Sequence, residues 1–241
     1  MIKLEDIKVE PHCHTLFSSH AYSTLYENLL FAKKKGLEAL ALTDHGPAMP
    51  DGGYDWHFRS MASIPHELDG VKLIKGVEVN LINFEGEVDL DDRLLSQIDL
   101  VIASFHNVCC KHGSVEEHTR AYLAVANNPH IDIIGHCGTP DFAFDYETGV
   151  KAFAEKGKIV EINSHSFVAR GDSRPNCLQI AKLCKKYGCP VVVSSDAHFC
   201  TEVGDFGPAL DVLNEIEFDR ELVLNTSYEK LMNHLKKTHA V

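Results

Sequence analysis

One alternation runs the length of this chain and constrains its fold more than any other feature. Short apolar runs take turns with amphipathic segments. "IKVEP" precedes "LYENLLFAKKKG", a helical pattern that Gly36 stops. "LEALALTDH" precedes a Gly/Pro-rich loop and the helical "WHFRSMASIPHEL", and "VKLIKGVEVNLI" precedes "LDDRLLSQI". "LVIASFHN" precedes "SVEEHTRAYLAVANN", where Ser114 and Glu117 have capping-box spacing. "IDIIGHCGT" precedes "YETGVKAFAEKG", "KIVEINSHS" precedes "NCLQIAKLCKKYG", and "PVVVSSDAHF" precedes "ALDVLNEI". That makes seven strand–helix units and a final helix at "SYEKLMNHLKK". Such alternation predicts parallel strands joined by helical crossovers. Seven units in 241 residues predict an α/β fold, a closed or nearly closed barrel one unit short of the usual eight. An open doubly wound sheet is the alternative. Without a linker or low-complexity segment, residues 1–241 read as one domain.

Composition narrows the function. No apolar run approaches the roughly 18 residues of a membrane span, and the charged "MIKLEDIKVEP" lacks a signal peptide's apolar stretch. A cytoplasmic location is the expectation, with no membrane partner. The eight cysteines form no C-x-x-C pair and are expected as free thiols. A net charge of −12 disfavours long nucleic acids, although a local cationic site can still bind a small anion. The anomaly is the count of 15 histidines.

Those histidines fall at matching places. His12 and His14 end the first predicted strand, Asp44 and His45 the second, Glu78 the third, His106 the fourth and His136 the fifth. His165 follows the sixth, and Asp196 and His198 end the seventh. In parallel α/β folds these ends share the face that carries the active site. Residues two apart on a strand face the same way, so His12 pairs with His14 and Asp196 with His198. Cys13 and Cys137 then turn away to pack. Imidazole and carboxylate are ligands for zinc, manganese and iron. With His20 the candidates number nine: His12, His14, His20, His45, Glu78, His106, His136, Asp196 and His198. Nine ligands suit two or three ions with a bridging carboxylate, and Asp44 can orient an imidazole from behind.

The motifs "HCHTLFSSHAYST", "ALTDHG", "GVEVN", "ASFHN", "IIGHCGTP", "EINSHSF" and "SSDAHF", in this order, resemble the PHP (polymerase and histidinol phosphatase) domain family. The likeness is strongest to its stand-alone YcdX-like phosphatases and covers essentially the whole chain. It implies a distorted (β/α)7 barrel with a trinuclear centre at the C-terminal ends of the strands. The three divalent ions are expected as zinc, with manganese or iron in relatives. By motif, His12, His14 and Asp196 would hold the first ion, and Glu78 would bridge it to a second completed by His106 and His136. His20, His45 and His198 would hold the third. Trimers occur among similar proteins.

Three divalent ions against two carboxylates leave a surplus of about four positive charges, which a dianionic phosphate monoester suits. The expectation is therefore hydrolysis of a small phosphorylated metabolite, with a metal-bridging hydroxide attacking phosphorus in line. Glu78, Asp196 and His198 are the catalytic candidates. Asp196, His198 and His165 are each placed to serve the leaving group, and the sequence does not choose among them. Arg170, Arg174 and His165 are the substrate-binding candidates, with His57 and Arg59 behind them. Trp56 is equally a core anchor. A phosphodiesterase or nuclease remains an alternative on the same metals. An amidohydrolase is weaker because no lysine ends the fourth strand, and a storage or structural module is weakest because structural zinc favours Cys-rich shells.

Overall fold

The computed structural model describes residues 1–50 and 52–239, with side chains to residue 236. Seven strands run parallel: β1 (Val9–Glu10), β2 (Ala39–Leu42), β4 (Val71–Asn80), β5 (Leu100–Ser104), β6 (Ile133–Ile134), β7 (Ile159–Asn163) and β8 (Val191–Ser194). They pair in the order β1-β2-β4-β5-β6-β7-β8, and β3 (Glu67–Leu68) pairs antiparallel with β4. The helices are α1 (Leu25–Lys34), α2 (Asp55–Ser60), α3 (Asp92–Leu95), α4 (Val115–Asn127), α5 (Tyr146–Glu155), α6 (Ser166–Ala169), α7 (Ser173–Tyr187), α8 (Gly207–Glu215) and α9 (Tyr228–His239).

The strands curl into a nearly closed barrel. At the site end, a single parallel bridge, Cys13 to Ala197, joins the first and last strand paths, with His14 N–H donating to Ala197 O at 2.9 Å. At the other end the two strands diverge and Asn225 fills the gap. Its Nδ2 donates to Val9 O (3.0 Å) and Val193 O (2.7 Å), and its Oδ1 accepts Val193 N–H (3.2 Å). A side-chain amide thus stands where a strand's peptide group would.

Alternation sorts the core into two clusters. Val9, Ala39, Ile74, Leu100, Ile133, Ile159 and Val192 face inward and pack with Leu224, Leu231 and Leu235. Leu231 and Leu235 of α9, with Leu224 just before it, plug the end where strands begin. Leu40, Val77, Val101, Val160 and Val193 face outward against the helices. Apart from the Asn225 seam the plugged end is lined by apolar side chains, and the inward-facing ionisable groups gather at the other.

Two predicted helices are shorter than their patterns. The segment "WHFRSMASIPHEL" ends its α-helix at Ser60, and Glu67–Leu68 is strand. Pro65 cannot donate to a continuing helix, and Asp69 and Gly70 (φ +54° and +82°) form a two-residue hairpin turn. The helix in "LDDRLLSQI" is the single turn α3, capped by Asp91, which accepts Leu94 N–H at 2.8 Å. Elsewhere the signals hold. Ser114 and Glu117 form the capping box of α4, and Gly36 (φ +75°) follows α1. All eight cysteines are free. Trp56, for which a core anchor is one of two equal readings, is 76% exposed on α2 and anchors no core.

Candidate metal centre

The Cys13–Ala197 bridge orients four side chains at once. Its two members point outward into the core, so the residues flanking them, His12, His14, Asp196 and His198, point inward. A second bridge, His45 to Glu78, lies beside them, and here the two members themselves face inward. His136 and Asp196 take left-handed backbone (φ +22° and +53°), a conformation that costs energy and is retained at functional positions.

The nine candidates form one cluster. His12 Nε2 lies 3.1 Å from His14 Nε2, and His14 Nε2 lies 3.1 Å from Asp196 Oδ1. Glu78 Oε1 is 2.9 Å from His136 Nε2 and 3.5 Å from His106 Nε2. Its Oε2 is 2.7 Å from His45 Nδ1, 3.4 Å from His12 Nε2 and 3.5 Å from His14 Nε2. At the exposed mouth, His20 Nε2 is 2.9 Å from His198 Nε2. Three trios keep their ligand atoms within 4.8 Å of one another: His12–His14–Asp196, His45–Glu78–His106 and His14–His45–His198. The first matches the first ion of the resemblance. In the others, His45 and His14 stand closer than His136 and His20.

The donor atoms fit a cation. Seven buried side-chain polar atoms lack a hydrogen-bond partner among the described residues. Four of them are here: Glu78 Oε2, both His45 ring nitrogens and His106 Nε2. His45 Nδ1 and Glu78 Oε2 are close yet not aligned for a hydrogen bond. Unpaired buried polar atoms cost about 1–3 kcal/mol each, and a divalent cation among them removes that cost. Imidazole with carboxylate and no thiolate suits zinc, manganese or iron.

Protonation agrees. Burial, with His45 and His198 nearby, lowers His14 to about 3. Burial lowers His106 to about 4 against the pull of Glu78. Both rings keep a free lone pair at neutral pH. Burial would raise Glu78 and Asp196, but the surrounding imidazoles outweigh it and hold both well below the usual carboxylate range. Burial pushes the Cys13 and Cys137 thiols up, so both remain protonated packing groups.

Behind the ligands stands a set of acceptors, only one of which the sequence reading named. Asp44 accepts from Thr15 N–H (2.7 Å), Thr15 Oγ1 (2.8 Å) and Ser18 Oγ (2.9 Å), and Ser18 Oγ meets His14 Nδ1 at 3.2 Å. Glu161 meets His12 Nδ1 at 2.6 Å. Asn80 Oδ1 meets His106 Nδ1 at 2.7 Å, and Asn80 Nδ2 donates to Asp89 at 2.5 Å. His198 Nδ1 meets Asp196 O at 2.9 Å. Such contacts fix the tautomer and aim Nε2 inward. A signal for the missed residues existed. "VEVN" (77–80) and "VEIN" (160–163) repeat one pattern, and each places a Glu and an Asn in a buried strand.

Two cavities open above the cluster and share His106, Ala169 and Arg170. The one of about 430 Å³ is lined by His20, His45, His165 and His198, and the one of about 320 Å³ by Asn107, Thr139 and Asp141. Both terminal nitrogens of Arg170 lie 3.3 Å from Asp196 Oδ2. The His165 ring stacks 5.5 Å from that of His198. Arg174 is not brought here. Left-handed Asp172 turns the chain into α7, and Arg174 pairs with Glu215 at 2.6 Å on the surface. Arg59 pairs with exposed Asp55 at 3.1 Å. His57 stacks on Phe17 and lies 3.4 Å from Asp44 Oδ2, a bracing position.

The comparisons with known proteins fall on the same residues. The sequence model of the PHP domain matches residues 10–165, and that of a PHP-associated region matches residues 175–207. A protein of Acetivibrio thermocellus named "Probable phosphatase" is 44% identical over 229 residues, 95% of each chain. Another so named, from Caldicellulosiruptor saccharolyticus, is 43% identical over 95% of this chain and 96% of its own. Among solved structures, histidinol phosphate phosphatase from Lactococcus lactis, complexed with zinc, L-histidinol and phosphate, superposes with a TM-score of 0.61 at 19% identity. That match covers 88% of this chain and 94% of the other and extends the likeness of fold.

Proposed function

The chain belongs to the PHP domain family, and from that premise we propose that it is a metal-dependent phosphoric monoester hydrolase acting on a small phosphorylated metabolite. The observation that carries this reading is the set of unpaired, inward-facing nitrogen and oxygen atoms beneath a cleft whose one guanidinium among the described residues is Arg170. The relatives named as phosphatases support it, and so does the small size of the two cavities.

The reading takes residues 1–241 as one domain and assigns the nine residues to three divalent ions, with zinc first. His12, His14 and Asp196 hold one, His106, His136 and Glu78 a second, and His20, His45 and His198 a third, Glu78 being shared. Bound divalent ions supply Lewis-acid polarisation of phosphoryl oxygens and activation of water. The chain's own residues supply orientation. Glu78 divides its two oxygens between opposite sides of the cluster. Asn163 Nδ2 donates to Asp196 Oδ2 at 3.1 Å and leaves Oδ1 to the ligand set. Arg170 presents a planar pair of donors where a phosphoryl group would enter. His165 lines the same mouth as a substrate contact.

The test is metal content per chain, followed by parallel assays of an aryl phosphate, an aryl phosphodiester and a dihydroorotate-like amide. His136→Ala and Glu78→Ala are the controls. Preferential hydrolysis of the monoester, lost in both variants, is expected. Preferential hydrolysis of the diester or the amide overturns the assignment, and wild-type protein without metal after metal-supplemented purification overturns the site.

A further inference from the structure

We infer that Glu161 is a positioning residue dedicated to one of the ions, acting through the tautomer of His12; this rests on the metal-dependent reading above. Glu161 lies on β7 with its side chain inward and is 2% exposed. It touches none of the open ligand positions. Its Oε1 meets His12 Nδ1 at 2.6 Å and accepts Ser194 Oγ–H at 2.6 Å. Its Oε2 accepts the His136 backbone N–H at 2.6 Å. One carboxylate therefore ties β7 to the ligand-bearing ends of β1, β6 and β8.

Both oxygens must accept. His12 Nε2 faces the cluster, 3.1 Å from His14 Nε2 and 3.4 Å from both Glu78 and Asp196. To offer a lone pair there, the ring must carry its proton on Nδ1 and donate it to Glu161 Oε1. The His136 N–H is a donor in every state. No neutral isostere meets both demands. In Glu161→Gln, an amide NH2 at the Oε2 position opposes the His136 N–H and displaces a backbone already at φ +22°. At the Oε1 position it opposes His12 Nδ1–H. That conflict ends only if the proton moves to Nε2, and then His12 cannot be a ligand. Ser194 Oγ can reverse its own proton, so it does not decide the outcome.

The consequence is selective. His12 belongs to the His12–His14–Asp196 trio alone. Because the His136 N–H cannot reverse, the amide should turn its oxygen there and its NH2 toward His12. Removing an acceptor behind a ligating imidazole typically weakens metal by about 10–100-fold, so the His12 equivalent should be affected far more than the others.

The experiment is chelator competition on metal-loaded, full-length protein, with metal per chain read at each chelator concentration. Wild type, Glu161→Gln, His12→Ala and the double variant are compared. The expected result is one equivalent released about 10–100-fold more easily in Glu161→Gln, the others shifting by less than about threefold. In the His12→Ala background the second change should add little. A parallel weakening of all equivalents, as a general structural role requires, overturns the inference. So does release at the wild-type concentration. Wild type without metal overturns the functional reading itself, which separates the two failures. The ¹⁵N shifts of the His12 ring in the unmodified metal-loaded protein give a second readout that needs no variant to fold. A protonated Nδ1 is expected, and an unprotonated Nδ1 overturns the inference.

Discussion

Replacing Asn225 with alanine tests whether a single amide closes this barrel. Asn225 is fully buried and lies where β1 and β8 do not pair. The substitution removes two donated bonds, to Val9 O and Val193 O, and one accepted from Val193 N–H. Its backbone oxygen still accepts Lys8 N–H at 2.9 Å, so the chain stays in place around the hole. Three buried backbone groups then lack partners, at about 1–3 kcal/mol each. The Leu224 and Leu231 side chains pack into the neighbouring interior and leave poor access for replacement water. A loss near the low end of that sum, about 3 kcal/mol, is expected in urea denaturation at fixed metal concentration, with an unchanged slope against urea. Asn225→Asp keeps the acceptor for Val193 N–H but turns an oxygen toward two carbonyls. Its deficit should therefore shrink as pH falls and the carboxyl regains a proton to donate. A loss below about 0.5 kcal/mol for alanine, a surface-like value, refutes the claim that the amide replaces strand pairing.

Arg170→Ala should raise KM for an aryl phosphate by about tenfold or more, the weight of a charged hydrogen bond, whereas Arg174→Ala should stay within about twofold; equal effects in steady-state kinetics would count against placing Arg170 at the phosphoryl position. Asp44 is held at about 2. Burial alone would raise it, but His57, His14 and the Thr15 donors outweigh burial. A carboxyl depressed in the folded state contributes stability above its unfolded value near 3.8, and that contribution is lost as pH falls toward 2. The contribution is about 2 kcal/mol, so Asp44→Asn should be less stable by that order at pH 7 and should lack this part of the acid slope between pH 4 and 2 in denaturation curves.

How much of this could be read from the chain depends on which step of structure sets each residue. His12, His14, Asp196 and His198 were legible because residues two apart share a face in the extended chain around the Cys13–Ala197 bridge, although the alternation shifts by one between inward Val9 and outward Cys13. Arg170 and Arg174 were not separable. Four residues apart in one polar loop, they part because Asp172 adopts φ +58° and starts a new helix, which nothing in their own identity signals. Glu161 was overlooked because a strand-end search stops at the last residue, whereas its carboxylate works from mid-strand beneath His12. The turn at Asp69–Gly70 is written plainly in its dipeptide, but the strand that leads into it, Glu67–Leu68, lies inside a helical pattern that Pro65 had already ended.

The polar residues reveal why one end of the barrel bears all the cost. His12, His14 and His106 each lead to a carboxylate by a different route: buried Glu161 directly, buried Asp44 through Ser18 and half-buried Asp89 through Asn80. Three routes that share no atom do not arise from packing for its own sake, since apolar residues of similar volume fill a core more cheaply than buried charges. Their common effect is to turn ring Nε2 atoms toward one another, with those of His12 and His14 brought to 3.1 Å. A cation among these nitrogens relieves that crowding. Its binding free energy therefore enters the stability of this end directly, by mass action. The opposite end, closed by Leu224, Leu231, Leu235 and the Asn225 seam, has no such dependence. Metal removal should accordingly raise amide hydrogen exchange around residues 12–20 and 44–46 far more than in β5 and β7, and uniform deprotection would mean that the cluster is not the element the cation supports.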